Sequence, residues 1–170
     1  MGGNIGLALA WKAPQRLASL VICGADPFPA DEGFAAFKLE FDEAISGGHQ
    51  ALIVWFEKGF ARMGHKLPDE RRSQILASDP EAWRATLNAH HVLSPNTSDQ
   101  LVAALKKFSR PALFYAGTQD RSHDREKRIV SEMKHAEFVS LPGYDHGKSF
   151  VDSKTALSLV TPFLQRVAAA

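Results

Sequence analysis

Several things are scarce in this chain of 170 residues, and each scarcity narrows its class. There is one cysteine, Cys23, set in an apolar run, so an intramolecular disulfide framework is excluded and the residue reads as a buried thiol. Neither sign of charge is in excess: 20 basic and 19 acidic residues are interspersed and leave a net charge of +1. Such a surface offers no footprint for nucleic acid or an anionic membrane. No apolar run approaches the roughly 20 residues of a membrane-spanning helix. The start lacks the charged-then-apolar order of a secretion signal, and Gly6 stands where a myristoylation signal needs Ser or Thr. These absences lead to the expectation of a cytoplasmic protein with no nucleic-acid or membrane partner. The length suits one domain with a core of its own.

What the chain does have begins at its first residues. Gly2, Gly3 and Gly6 stand against an apolar run, residues 5–11, that Pro14 brings to an end. Apolar side chains nearly all round suit a helix buried inside a protein rather than one on its surface. After Arg16 and Leu17, the run Leu20, Val21, Ile22, Cys23 is short, continuous and closed by Gly24, as a strand buried on both faces would be. Asp26, Pro27, Phe28 and Pro29 then break all regularity.

From residue 31 to about 98 only helical pieces are expected. Phe34, Phe37, Phe41 and Ile45 recur at intervals of three and four and are closed by Gly47 and Gly48. Residues 50–63 carry Leu52, Trp55, Phe56 and Phe60. Pro68 with Asp69 and Glu70 opens a helix to Leu76, and Asp79, Pro80 and Glu81 open another running through Trp83, Leu87 and His91. An aromatic stripe at this spacing packs a core, lines an apolar pocket, or does both on different faces. Phe34, Trp55, Phe56, Phe60 and Trp83 are the candidate pocket walls. A helix at 101–108 follows, then a strand at 112–116 ending in Gly117, Thr118, Gln119 and Asp120. A helix at 125–135 and a strand at 137–141 lead to Pro142, Gly143, Tyr144, Asp145, His146 and Gly147. The last helix starts near Asp152, and Pro162 is expected to kink it. Strands alternating with helices argue for a parallel sheet, so the class is α/β.

Reactive residues in such sheets gather beyond the carboxyl ends of the strands, where Asp120 and His146 both fall. A histidine takes a proton near neutral pH, and a carboxylate behind it fixes its tautomer. Asp26 and Asp124 also lie beyond strand ends and remain alternatives for the acid. The other histidines, among them His90, His91 and His123, show no spacing with Cys or acidic residues that would make a metal site, and no cofactor is expected.

Taken together, Met1-Gly2-Gly3 before a buried helix, a helical insertion, a strand ending in Gly-Thr-Gln-Asp and one ending in Pro-Gly-Tyr-Asp-His resemble the C-terminal part of the alpha/beta-hydrolase family. In that family the nucleophile lies in a G-x-S-x-G elbow, and the order nucleophile, acid, histidine matches the order here. The resemblance implies about three parallel strands with flanking helices: residues 1–27 as the start of the hydrolase core, 28–100 as a helical lid and 101–170 as the rest of the core. It implies Asp120 as acid, His146 as base and Met1 as the residue whose N–H contributes to the oxyanion hole. The nucleophile itself would precede Met1. Ser19, Ser122, Ser140 and Ser149 lie in no G-x-S-x-G turn, and the missing nucleophile is serine or aspartate, with Met-Gly-Gly favouring serine. The implied substrate is a small apolar ester, lactone or similar compound, and the implied behaviour is that of a truncated chain, marginally stable and inactive alone. Two other readings stand beside it: a non-catalytic interaction module, or a fragment completed by a chain that supplies further strands, and a metal-dependent enzyme using the histidines.

Overall fold

Three short apolar runs form one sheet in a computed structural model that describes residues 2–29, 32–62, 64–88 and 95–169. In chain order its elements begin with α1 (Gly2–Lys12), β1 (Leu20–Cys23), α2 (Glu32–Ser46), α3 (Gly48–Arg62), α4 (Asp69–Ala77) and α5 (Pro80–Asn88). They continue with α6 (Pro95–Lys106), β2 (Ala112–Gly117), α7 (His123–Val130), β3 (Ala136–Leu141), α8 (His146–Val151) and α9 (Ser153–Ala168). The chain divides into two compact units, Pro29–Ser94 and the remainder, Met1–Phe28 with Pro95–Ala170.

The second of these carries the sheet, in the order β1, β2, β3 with every pair parallel. Ile22 stands opposite Phe114, and Phe114 opposite Phe138. Every residue of the central strand β2 is buried, because a parallel strand between helical layers has no face left for water. Alternation sends Leu113 and Tyr115 to one side, where Val21, Cys23, Val139 and Leu141 join them against Phe163, Ala156, Leu159 and Val160 of α9. Leu20 and Ile22 face the other side, where α1 lies over them at Gly6. On that side α1 packs on α6, α6 on α7, and α7 on β2 and β3. Among the described residues β1 pairs only with β2.

Among the described residues the other unit contains helices alone. Phe41, Ala44 and Ile45 of α2 fall on one face at the i, i+3, i+4 spacing and meet Leu52 and Ile53 of α3, Ile75 of α4 and Leu87 of α5. Around this core Phe37, Trp55, Phe56, Phe60 and Trp83 are partly buried, with ring centroids 4.5 Å apart for Phe41 and Trp55 and 5.5 Å for Phe56 and Trp83. Trp83 Nε1 donates to Ser78 Oγ at 2.6 Å, and Arg84 pairs with Asp42 across α5 and α2.

Three elements depart from the expectation in extent or kind. Helix α6 starts at Pro95 rather than Leu101, because a proline suits the first helical turn even before the polar stretch Asn96 to Asp99; it belongs to the sheet unit, whereas the expected lid ran to residue 100. Helix α7 covers His123–Val130 instead of 125–135, since the chain turns at Ser131 and Glu132 and enters β3 at Ala136. The loop expected around His146 contains α8, started by Asp145, whose carboxylate accepts from the Lys148 N–H at 2.7 Å. Pro162 lies inside α9, which continues to Ala168. The part of the α5 expectation that includes His91 lies outside the described residues.

Candidate active site

The loops that follow β2 and β3 are tied to each other by their backbones. Thr118 N–H donates to the Leu141 carbonyl at 3.0 Å and Gln119 N–H to the Tyr144 carbonyl at 2.9 Å. Gly143 N–H donates to Thr118 Oγ1 at 2.9 Å. Gly117 makes the approach possible, for a β-carbon there would lie 2.0 Å from the Tyr144 carbonyl oxygen. Tyr144 is anchored in turn, its hydroxyl donating to Asp152 Oδ2 at 2.6 Å.

This stitching brings Asp120 and His146 together, with His146 Nδ1 2.7 Å from Asp120 Oδ2. The Asp120 side chain is 1% exposed and that of His146 58% exposed, so the carboxylate is sunk beneath an imidazole that reaches the surface. Asp120 Oδ1 accepts from the Ser122 backbone N–H at 2.9 Å and lies 3.0 Å from its hydroxyl. Burial pushes the Asp120 carboxyl up. The hydrogen bond from His146, those from Ser122 and the attraction of the imidazole outweigh it and hold the carboxyl below its ordinary value. An ionised carboxylate only accepts, so the shared proton sits on His146 Nδ1, and in the neutral imidazole the lone pair is then on Nε2. Nε2 has no hydrogen-bond partner among the described residues. The Phe150 ring packs edge-on against the imidazole at 4.7 Å between centroids. The result is an imidazole of fixed tautomer on a half-exposed side chain, with Nε2 unpartnered among the described residues, a geometry able to take a proton from a hydroxyl and return it to a leaving group.

A third participant was not singled out for this role in the sequence. Gly24, just after β1, has φ of +61°, and a β-carbon there would lie 2.8 Å from His146 Nδ1 and 3.0 Å from Asp120 Oδ2. Its backbone is thus one wall of the pair. The available signal was its place at a strand end level with the two reactive loops.

The alternative acids are engaged elsewhere: Asp26 with Arg125 at 3.1 Å and Asp124 with His123 at 2.7 Å. Ser122 is buried against Asp120, Ser140 Oγ lies 2.9 Å from His123 Nε2, and Ser149 Oγ donates to the Asp145 carbonyl at 2.8 Å. None of them bonds to His146. Burial pushes the Cys23 thiol up to about 12, which removes it as a nucleophile at neutral pH. Trp55, Phe56, Phe60 and Trp83 pack on the core of the helical unit, and Phe34 stacks on Phe37 at 5.8 Å. Met1, His90 and His91 lie outside the described residues. Among the described residues no three His, Cys, Asp or Glu side chains gather as metal ligands, and no helix is long and apolar enough to cross a membrane.

No protein-family model matches the sequence, and no curated protein matches it. Solved structures do. A carboxylesterase structure from the thaumarchaeon Nitrososphaera gargenis is similar over 99% of this chain and 63% of its own, at 18% identity and a TM-score of 0.78. MenH from S. aureus is similar over 98% of this chain and 65% of its own, at 18% identity and a TM-score of 0.71. The enol-lactonase from Burkholderia xenovorans LB400 is similar over 97% and 63%, at 18% identity and a TM-score of 0.66. The chain thus spans a little under two thirds of the length of these proteins. At such identities the likeness is one of fold, and the fold of this chain is that of the alpha/beta hydrolases.

Proposed function

We propose that Asp120 and His146 are the acid and base of a hydrolase acting on small apolar esters or lactones. The observation that carries this is the 2.7 Å contact between a buried, ionised carboxylate and a half-exposed histidine whose other nitrogen has no partner among the described residues. In this reading a hydroxyl attacks the acyl carbon while Nε2 takes its proton; the imidazolium, steadied by Asp120, then protonates the leaving alkoxide. The nucleophile is not supplied by the described residues, and Ser in a Gly-x-Ser turn ahead of Met1 is the candidate. The aromatic side chains of the helical unit, Phe34, Trp55, Phe56, Phe60 and Trp83, are the candidate walls of an apolar pocket. The esterase and lactonase among the structural relatives support the reaction class.

The test is hydrolysis of p-nitrophenyl butyrate. The 170-residue chain alone should give no turnover, whereas the chain joined to a segment ending in a Gly-x-Ser elbow should turn the ester over, and His146→Ala should remove about a thousandfold or more of that rate. Turnover by the joined protein that survives His146→Ala would place the chemistry elsewhere. A second reading draws on β1, which pairs on one side only among the described residues: a partner chain supplies further strands, or the module binds without catalysing. Co-purification with a protein that carries a Gly-x-Ser turn would favour the partner.

A further inference from the structure

Behind the acid lies a second buried carboxyl that the proposed reaction does not use. Glu126 of α7 is wholly buried, and its Oε1 lies 2.8 Å from Ser122 Oγ. The same Ser122 Oγ lies 3.0 Å from Asp120 Oδ1. One hydroxyl proton cannot serve two acceptors at once. Were both carboxyls ionised, one of the two contacts would set lone pair against lone pair in a dry site. Asp120 already receives two N–H donors, the Ser122 backbone N–H on Oδ1 and His146 Nδ1–H on Oδ2, and is the ionised member. The remaining proton therefore belongs to Glu126.

We infer that Glu126, as a neutral acid, donates to Ser122, that Ser122 donates to Asp120 Oδ1, and that this buried relay turns Asp120 Oδ2 towards His146. It makes Ser122 and Glu126 positioning residues, and it rests on the acid-base reading of the pair given above. The surroundings agree. The Ala25 backbone N–H reaches the Glu126 carboxyl, but Oε2 has no hydrogen bond of normal geometry among the described residues, a setting that would leave an ionised group uncompensated. The groups that face it are acids or weak acids: Asp120, Asp26, the Cys23 thiol and the Tyr115 phenol. The nearby cation of α7, Arg125, is bound to Asp26. Burial first, then the charges of Asp120 and Asp26, against the opposing hydrogen bond of Ser122, push the Glu126 carboxyl up to about 9.

The experiment is carboxyl carbon-13 NMR on the full chain, with labelled Glu and Asp, from pH 4 to 10. Glu126 should titrate near pH 9, and the Asp120 carboxyl carbon should show an inflection at the same pH that disappears in Glu126→Gln, whose amide keeps the donor to Ser122. In Ser122→Ala the two carboxyls should lose most of this coupling. A Glu126 that titrates among ordinary carboxylates overturns the relay, as does an Asp120 inflection near pH 9 that persists in Glu126→Gln. The nitrogen-15 shifts of His146 separate the two readings. An Nδ1–H tautomer lost in Asp120→Asn shows the pair intact whatever Glu126 does; its absence from the unaltered chain defeats the acid-base reading and the relay with it.

Discussion

A carboxyl that holds its proton to about pH 9 links stability to pH at the scale of one residue. Glu126 starts from an ordinary value of 4.5 in the unfolded chain and rises to about 9 in the folded one. Between those values the folded state binds the extra proton, so the unfolded state gains on it as pH increases. The contribution is whole below about 4.5 and is lost as pH rises towards about 9. Urea denaturation of the full chain should therefore show stability falling over this window, with a slope approaching about 1.4 kcal/mol per pH unit from this one group. Glu126→Gln should flatten that slope, and an unchanged slope would show that Glu126 is ionised in the fold. Gly24 supplies a second prediction. Alanine there takes a positive φ at a cost of roughly 1–2 kcal/mol and puts a methyl 2.8 Å from His146 Nδ1. Gly24→Ala should thus separate His146 from Asp120, and an unaltered His146 nitrogen-15 spectrum in that variant would contradict the description of the site.

Among the elements, the strands were legible and the shortest α-helix, α8, was not, for physical reasons. Leu20 to Cys23 and Ala112 to Ala116 are continuous apolar runs bounded by Pro or Gly, and such a run has one good use in a mixed chain, a strand covered on both faces. The placement of Asp120 and His146 beyond strand ends was legible for the same reason, because strand ends fix where the following loops emerge. Helix α8 is six residues long and shows no periodicity; only Asp145, bonded to the amide three residues on, announces it. Glu126 was hidden in the charged run Asp124 to Arg128, which looks like a solvated face. Its spacing to Ile129 and Val130 placed it on the buried face of α7, but the acceptor that makes burial tolerable, Ser122, belongs to a contact only the fold creates. In the helical unit the aromatic spacing was legible, and its core role is visible in the packing of Trp55 and Trp83 around Phe41. Leu52, wholly buried at the centre of that unit, should cost about 2–5 kcal/mol when changed to alanine. Thermal unfolding followed by tryptophan fluorescence would check this, and a loss under 1 kcal/mol would mean that Leu52 is not central to the core.

For the molecule as a whole, the sheet serves as a platform: β1 brings Gly24, β2 brings Asp120 and β3 leads to His146, so three parallel strands deliver three parts of one site. The loop stitching through Thr118, Gln119 and Gly143 makes the pair a property of the sheet rather than of either loop alone. On this platform the neutral imidazole of His146 carries its proton on Nδ1 and leaves Nε2 unpartnered among the described residues. Nitrogen-15 NMR of the full chain at a pH where His146 is neutral measures this directly. A predominant Nδ1–H tautomer that shifts towards Nε2–H in Asp120→Asn is the result expected. An Nε2–H tautomer in the unaltered chain, or a tautomer balance indifferent to Asp120→Asn, would contradict the account.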